Sequence, residues 1–311
     1  MRIGILGTSD IAFRRFLPAL KNTFDFAGVA SRDVAKTVKF IKAFGGKGYN
    51  GYDALLDDEN IDCVYIPLPP ALHFEWAKKA LLSGKHVMLE KPFTTSMNDT
   101  HELVELAERK NLALHENYMF QYHSQIDFIR SKLTELGELR LIRLDFGFPF
   151  RGAADFRYNK ALGGGALFDC GGYTVKLASI LLGDTARFTD ATLIYKEGFE
   201  VDIGGTATLR NSDGLTAQIA FGMDNGYRCS LDVWGRAGSL FTDRVFTAPD
   251  GFSPTVIVKI GNDVKEYKLE VDNSFEKSIA AFDKALNGTK DYSPILKQAE
   301  LIEQFKELNQ Q

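Results

Sequence analysis

Between Arg2 and Tyr118 the chain alternates short apolar runs with helical patterns, and this alternation limits its fold more than any other feature. Strand-like "RIGILG", "FDFAGVAS", "IDCVYIPLP", "KHVMLEKP" and "LALHENY" are separated by "IAFRRFLPALKN", "DVAKTVKFIKAFGG" with "YDALLDDEN", "ALHFEWAKKALLSG", and "SMNDTHELVELAERKN". Strands joined by helices pair in parallel, because a parallel neighbour needs a crossover. The strand runs are nearly continuous in apolar residues, as expected when helices cover both faces of a doubly wound sheet. Ser96 with Asp99 three residues on reads as a capping box for the last of these helices, and Asp33 as a cap for an earlier one.

After about residue 120 the texture changes. "HSQIDFIRSKLTEL" is helical, and "GELRLIRLDFGFPF" alternates like a half-exposed strand. The stretch from Ala186 to Leu269 is nearly all β, including "TDATLIYKE", "VDIGGTATLRN", "LTAQIAFGM", "RCSLDVWG", "SLFTDRVFTA", "TVIVKIG" and "VKEYKLEV", with turns at Ser212–Asp213–Gly214 and Gly261–Asn262–Asp263. Two helices close the chain. The expectation is an α/β protein: residues 1–119 a Rossmann-type domain, and residues 120–311 an α+β domain with a large, open, mostly antiparallel sheet. The closing helices are placed to pack back on the first domain. An open sheet has a second face to dispose of, which points to a homodimer or tetramer formed through it.

Composition removes several classes. The 37 Lys and Arg against 41 Asp and Glu are scattered, so there is no electrostatic footprint for nucleic acid. Cys63, Cys170 and Cys229 are far apart and outside any C-x-x-C spacing, reading as reduced thiols of a cytoplasmic protein and not as a disulfide framework or metal site. No uncharged apolar run reaches the roughly 18 residues of a membrane span.

Three motifs carry chemistry. "GTSDIA" fits G-x-G-x-x-G/A at Gly7 and Ala12, with Ser9 in the second glycine's place, directly between a strand and a helix. Small residues there let a helix N-terminus approach a pyrophosphate, so Gly7, Thr8, Ser9, Asp10 and Ile11 are expected to bind a dinucleotide. The second strand ends in Ser31 and Arg32 where an NAD site usually places an acid. A hydroxyl and a guanidinium suit a 2′-phosphate, favouring NADP(H) with NAD(H) as the alternative.

Glu90, Lys91 and Pro92 end a parallel strand, the edge where doubly wound sheets bind ligands. "IPLPPALH" adds Pro67, Leu68, Pro69 and His73 at the neighbouring strand end. A lysine there can hold a substrate oxygen and lower the pKa of a nearby acid. The third motif, "ALGGGALFDCGGYTVKLASILLG", places Asp169, Tyr173 and Lys176 at i, i+4 and i+7 of a helix. Gly172 shares that face and costs the helix roughly 1 kcal/mol relative to Ala. That cost makes sense if another body, such as a nicotinamide ring, approaches the backbone.

Together, "GTSDIA", "LEKPF" and "LGGGALFDCGGY" resemble the glucose–fructose oxidoreductase / inositol dehydrogenase (Gfo/Idh/MocA) family, over essentially the whole chain. The resemblance implies an NAD(P)-dependent oxidoreductase with Lys91, Asp169 and Tyr173 as catalytic residues. "HENYMFQYHSQ" looks most like the corresponding segment of bacterial NDP-hexose 3-ketoreductases. This implies a sugar or nucleotide-sugar substrate, Asn117 beside the nicotinamide ribose, and Phe120 and His123 by the substrate. By the same resemblance Arg157 meets the cofactor or a substrate phosphate, although Asn159 and Lys160 stand where Asp-Pro is usual. Aldose 1-dehydrogenases, dihydrodiol dehydrogenases, glycosidases that use NAD transiently and a non-enzymatic NADP-binding regulator are the alternatives. The catalytic reading requires the ammonium of Lys91 and the phenol of Tyr173 to serve one substrate oxygen.

Overall fold

The computed structural model describes residues 1–21 and 23–309. These residues form two compact units, Met1–Asn117 with Phe275–Leu296, and Tyr118–Ser274 with the chain from Lys297 onward.

The first unit is a six-stranded, all-parallel sheet. Its strands are β1 (Arg2–Leu6), β2 (Asp25–Ser31), β3 (Lys47–Asn50), β4 (Cys63–Ile66), β5 (His86–Leu89) and β6 (Leu114–Glu116), in the order β3-β2-β1-β4-β5-β6. The order reverses at β1, so the ends of β1 and β4 flank the switch point where such sheets take ligands. Every residue of β4 is buried, and so are the last three of β5, which explains their continuous apolar sequence. The helix Met97–Lys110 starts at Ser96, whose hydroxyl accepts the Asp99 N–H at 3.4 Å, as the capping pattern predicts. Strand β3, "KGYN", has no apolar run and is absent from the sequence reading; it exists because it extends the edge beside β2.

The second unit is an eight-stranded sheet of β7 (Leu139–Gly147), β8 (Arg187–Ile194), β9 (Gly204–Arg210), β10 (Thr216–Gly222), β11 (Arg228–Gly235), β12 (Gly238–Thr242), β13 (Thr255–Ile260) and β14 (Asp263–Lys268). The order is β14-β13-β12-β11-β7-β10-β9-β8, antiparallel except for the central β7–β10 pair. One face buries Ile142, Leu144, Phe146, Ile219, Phe221, Leu231 and Val233, and the helix Gly172–Leu182 packs on it at β7 and β10. "SLFTDRVFTA" does not continue as a strand, because β12 stops at Thr242 and Arg244 takes a left-handed turn conformation with φ +58°. Among the described residues no helix is long and apolar enough to cross a membrane.

Candidate active site

In the first unit the glycine turn is a built cradle. Gly7 follows β1 with φ +111°, a conformation that favours glycine, and a Cβ there would meet Leu68 Cδ2 at 2.8 Å. Ser9 serves as a cap in the second glycine's position: its hydroxyl accepts the Ala12 N–H at 3.2 Å, opening a π-type turn over Ala12–Phe16. Thr8 and Ile11 are half-buried, while Asp10 is exposed and paired with Arg14 at 2.9 Å. At the end of β2 the buried Ser31 hydroxyl accepts the Asp33 N–H at 3.2 Å. Asp33 accepts the Ala35 N–H at 3.1 Å and is thereby turned onto the turn it caps, leaving exposed Arg32 as the charged group of this corner. That donor set fits a dinucleotide bearing a 2′-phosphate better than one bearing a 2′-hydroxyl.

The next strand ends explain the Glu90–Lys91 sequence. Glu90 is buried; its Oε1 accepts the Tyr65 hydroxyl at 2.6 Å and Asn117 Nδ2 at 2.5 Å, and its carboxylate also takes the Lys91 N–H. Burial pushes its pKa up, and these donors and the Lys91 charge oppose the rise. The network extends outward: Ser278 donates to Asn117 Oδ1 at 2.8 Å, and Ser278 Oγ lies 2.8 Å from His115 Nε2. Because the serine proton goes to Asn117, His115 donates from Nε2. Phe16 stacks on Tyr65 at 3.9 Å and fixes the phenol that faces Glu90. Half-buried Lys91 follows directly, joined to Pro92 by a cis peptide.

Two residues expected at the cofactor have partners within the protein. His73 is wholly buried, with Nδ1 2.8 Å from the Pro92 carbonyl and Nε2 2.7 Å from the Leu68 carbonyl. Its ring is used by main chain and ties the Pro67–Pro69 loop to the Lys91–Pro92 segment; burial pushes its pKa down. Asn117 is fully buried and engages Glu90 and Ser278 with its amide, so it fixes Glu90.

In the second unit, Asp169 belongs to a π-type turn, Leu167–Gly171, that leads into the helix Gly172–Leu182. The wider turn changes the angular spacing assumed for Asp169, Tyr173 and Lys176 on a regular helix. Arg157 donates from Nε to Asp169 Oδ2 at 2.8 Å and from an Nη to Asp155 at 3.1 Å. Arg157 therefore holds Asp169. Tyr173 is buried in an aromatic wall of Tyr118, Phe120, Phe146 and Phe246, with ring centroids 5.2–6.0 Å away, and its hydroxyl lies 4.0 Å from Met119 Sδ. His123 Nδ1 accepts the Gln125 N–H at 3.1 Å, which leaves the ring proton on Nε2. The body that approaches Gly172 is the Tyr118 hydroxyl, with Gln298 donating to the Gly172 carbonyl at 2.9 Å. That contact accounts for the glycine where the sequence suggested a nicotinamide ring.

Tyr65, Ser278, Gln298 and Asp202 are absent from the sequence reading. Tyr65 looks like any core residue of an apolar strand, and Ser278 and Gln298 reach partners 161 and 126 residues away. Asp202 had a signal, an acid standing between apolar residues in "FEVDIGG".

Residues 1–118 match the model of the oxidoreductase family with an NAD-binding Rossmann fold, and residues 132–241 that of the Gfo/Idh/MocA C-terminal domain. The chain belongs to the Gfo/Idh/MocA family of NAD(P)-dependent oxidoreductases. It is 38% identical to dTDP-3,4-didehydro-2,6-dideoxy-alpha-D-glucose 3-reductase of Actinomadura kijaniata, over 92% of this chain and 87% of that protein. KijD10, a 3-ketoreductase from Actinomadura kijaniata solved with NADP and TDP-benzene, superposes with a TM-score of 0.96 at 36% identity, covering 99% of this chain and 98% of that one. The NADP(+)-dependent D-xylose 1-dehydrogenase 2 of Haloferax volcanii is 29% identical, over 92% of this chain and 89% of its own.

Proposed function

We propose that this chain is an NADPH-dependent reductase of the 3-keto group of a nucleoside-diphosphate-activated deoxyhexose. The observation that carries the reading is the full-length similarity to a 3-ketoreductase, together with Lys91, Asp169 and Tyr173 in the family's motifs. Arg32, with Asp33 turned away, supports NADP(H) over NAD(H). NADPH, when bound, supplies a hydride to the keto carbon.

The chain's residues manage the oxygen left behind. Lys91 holds that oxygen and stabilises its developing negative charge. Tyr173 gives it a proton, completing the alcohol. Asp169, oriented by Arg157, accepts a neighbouring sugar hydroxyl. Phe120 packs against the sugar, and His123 donates to it from Nε2. Gly7 to Ile11, Pro67 to Pro69 and the Glu90–Lys91 edge carry the dinucleotide, with His73 and Asn117 supporting them from behind.

The protein acts in the cytoplasm as a homodimer or tetramer. Exposed Trp234 and Phe241 support an oligomer through the uncovered sheet face, since they lie on that face with Leu141 and Ile257 across four adjacent strands.

Initial rates read at the NADPH absorbance test the reading: NADPH oxidation with a dTDP-3-keto-deoxyhexose, and NADP⁺ reduction with a free aldose and with a dihydrodiol. Turnover of the keto sugar above the others is expected; turnover confined to the aldose or dihydrodiol would overturn it. Arg32→Ala should raise the KM for NADPH more than that for NADH, and equal effects would remove the 2′-phosphate role.

A further inference from the structure

The glycine run before Asp169 leads to a carboxylate that no motif assigns. Asp202 lies just before β9, is 8% exposed, and its Oδ2 accepts the Leu167 N–H at 2.7 Å; its own carbonyl accepts the Ala166 N–H at 2.9 Å. It therefore satisfies two of the otherwise unpaired donors at the start of the segment carrying Asp169 and Tyr173. Gly165 makes this approach available: its φ is +125°, and a Cβ there would collide with Asp202 Oδ1. Gly164 does the same for the carbonyl of Arg157, whose side chain holds Asp169. Two adjacent glycines thus bring two external groups onto one turn.

We propose that Asp202 is a positioning residue, its ionised carboxylate holding the Leu167–Tyr173 segment in the geometry that places Asp169 and Tyr173 for the reaction. This rests on the proposed roles of those two residues. Protonation weakens the carboxylate as an acceptor, so activity should fall on the acid side as Asp202 takes up its proton. Burial raises its pKa to about 6, inside an assayable range. Among the described residues no cation pairs with it. Among the described residues the titratable group that interacts with it is Tyr195, just after β8, while Arg157 and Asp155 precede the segment and meet it at Asp169.

The sign for stability is opposite to that for activity. A carboxylate whose folded pKa is raised favours the folded state as pH falls from above about 6 toward the ordinary carboxylate value near 4. Asp202→Asn keeps an acceptor for the Leu167 N–H without the charge; Asp202→Ala removes both.

The test combines kcat against pH with amide hydrogen exchange of residues 165–173, in wild type and both variants. Expected are a wild-type acid limb near pH 6 that Asp202→Asn lacks, and in Asp202→Ala a kcat lowered at least about tenfold with KM for NADPH unchanged and faster exchange over this segment. Unchanged kcat in folded Asp202→Ala, or the same acid limb in Asp202→Asn, would overturn the proposal. If Asp202→Ala does not fold, the Asp202→Asn profile decides alone. Because exchange does not depend on which group moves the proton, failure here is separable from failure of the catalytic reading, which would appear as full activity in Tyr173→Phe.

Discussion

The end of β5 and the start of the helix Gly172–Leu182 each present a group proposed to serve the substrate oxygen, and they are fixed by opposite means. At the strand end, order comes from side chains: Tyr65 and Asn117 donate to Glu90, Ser278 to Asn117, and His73 bridges two loops. At the helix start it comes from side chains that are missing, since glycines 164, 165 and 172 admit the Arg157 carbonyl, the Asp202 carboxylate and the Tyr118 hydroxyl. A parallel strand has backbone partners on both sides, so only the residue leaving the ladder needs pinning. A helix start has open N–H groups and must be completed from outside.

The largest effects should fall on the two reacting groups. Lys91→Ala and Tyr173→Phe are each expected to lower turnover about 100-fold or more, the low end for a positioned acid–base group, with secondary structure and NADPH binding retained. Full activity in either folded variant would take that residue out of the chemistry and leave only one of the two regions catalytic.

The second effect separates the two kinds of support. Gly172→Ala gains about 1 kcal/mol of helix propensity but pushes a methyl into the Tyr118 hydroxyl, and overpacking costs about 1–3 kcal/mol. A lower Tm is expected, partly restored in Gly172→Ala with Tyr118→Phe, where the clashing oxygen is gone. A single variant as stable as wild type would show that space at Gly172 is not what keeps it a glycine.

The smallest effect lies in the strand-end network. Glu90 has a raised folded pKa, so its ionised form is the costly one, and that cost is present above its folded pKa and relieved as pH falls. Glu90→Gln keeps an acceptor for Tyr65 and Asn117. Its stability relative to wild type should therefore improve as pH rises from the ordinary carboxylate range to neutrality, measured by denaturant midpoints. A gap independent of pH would mean Glu90 does not titrate differently on folding.

The first sheet was legible because its strands are buried on both faces and separated by capped helices, so pattern and burial coincide. Ser96 and Asp33 cap where their spacing predicted. The edge strand β3 was not, since "KGYN" owes its conformation to β2 and not to its own residues. At the site, Gly7, Glu90, Lys91, Asp169 and Tyr173 stood out as chemistry in turn or glycine contexts. What stayed hidden was who holds them: Ser278, Gln298 and Asp202 act across long separations, and the π-type turn over Leu167–Gly171 breaks the helical spacing used to align Asp169 with Tyr173.

The most direct measurement follows the hydride itself. Turnover of a dTDP-3-keto-deoxyhexose with NADPH deuterated at the transferable C4 position, read by NMR of the product, should place deuterium at C3 of the hexose, with one NADPH oxidised per product formed. Deuterium at another carbon, or product formed with no net NADPH oxidation, would contradict 3-keto reduction as the function of this chain.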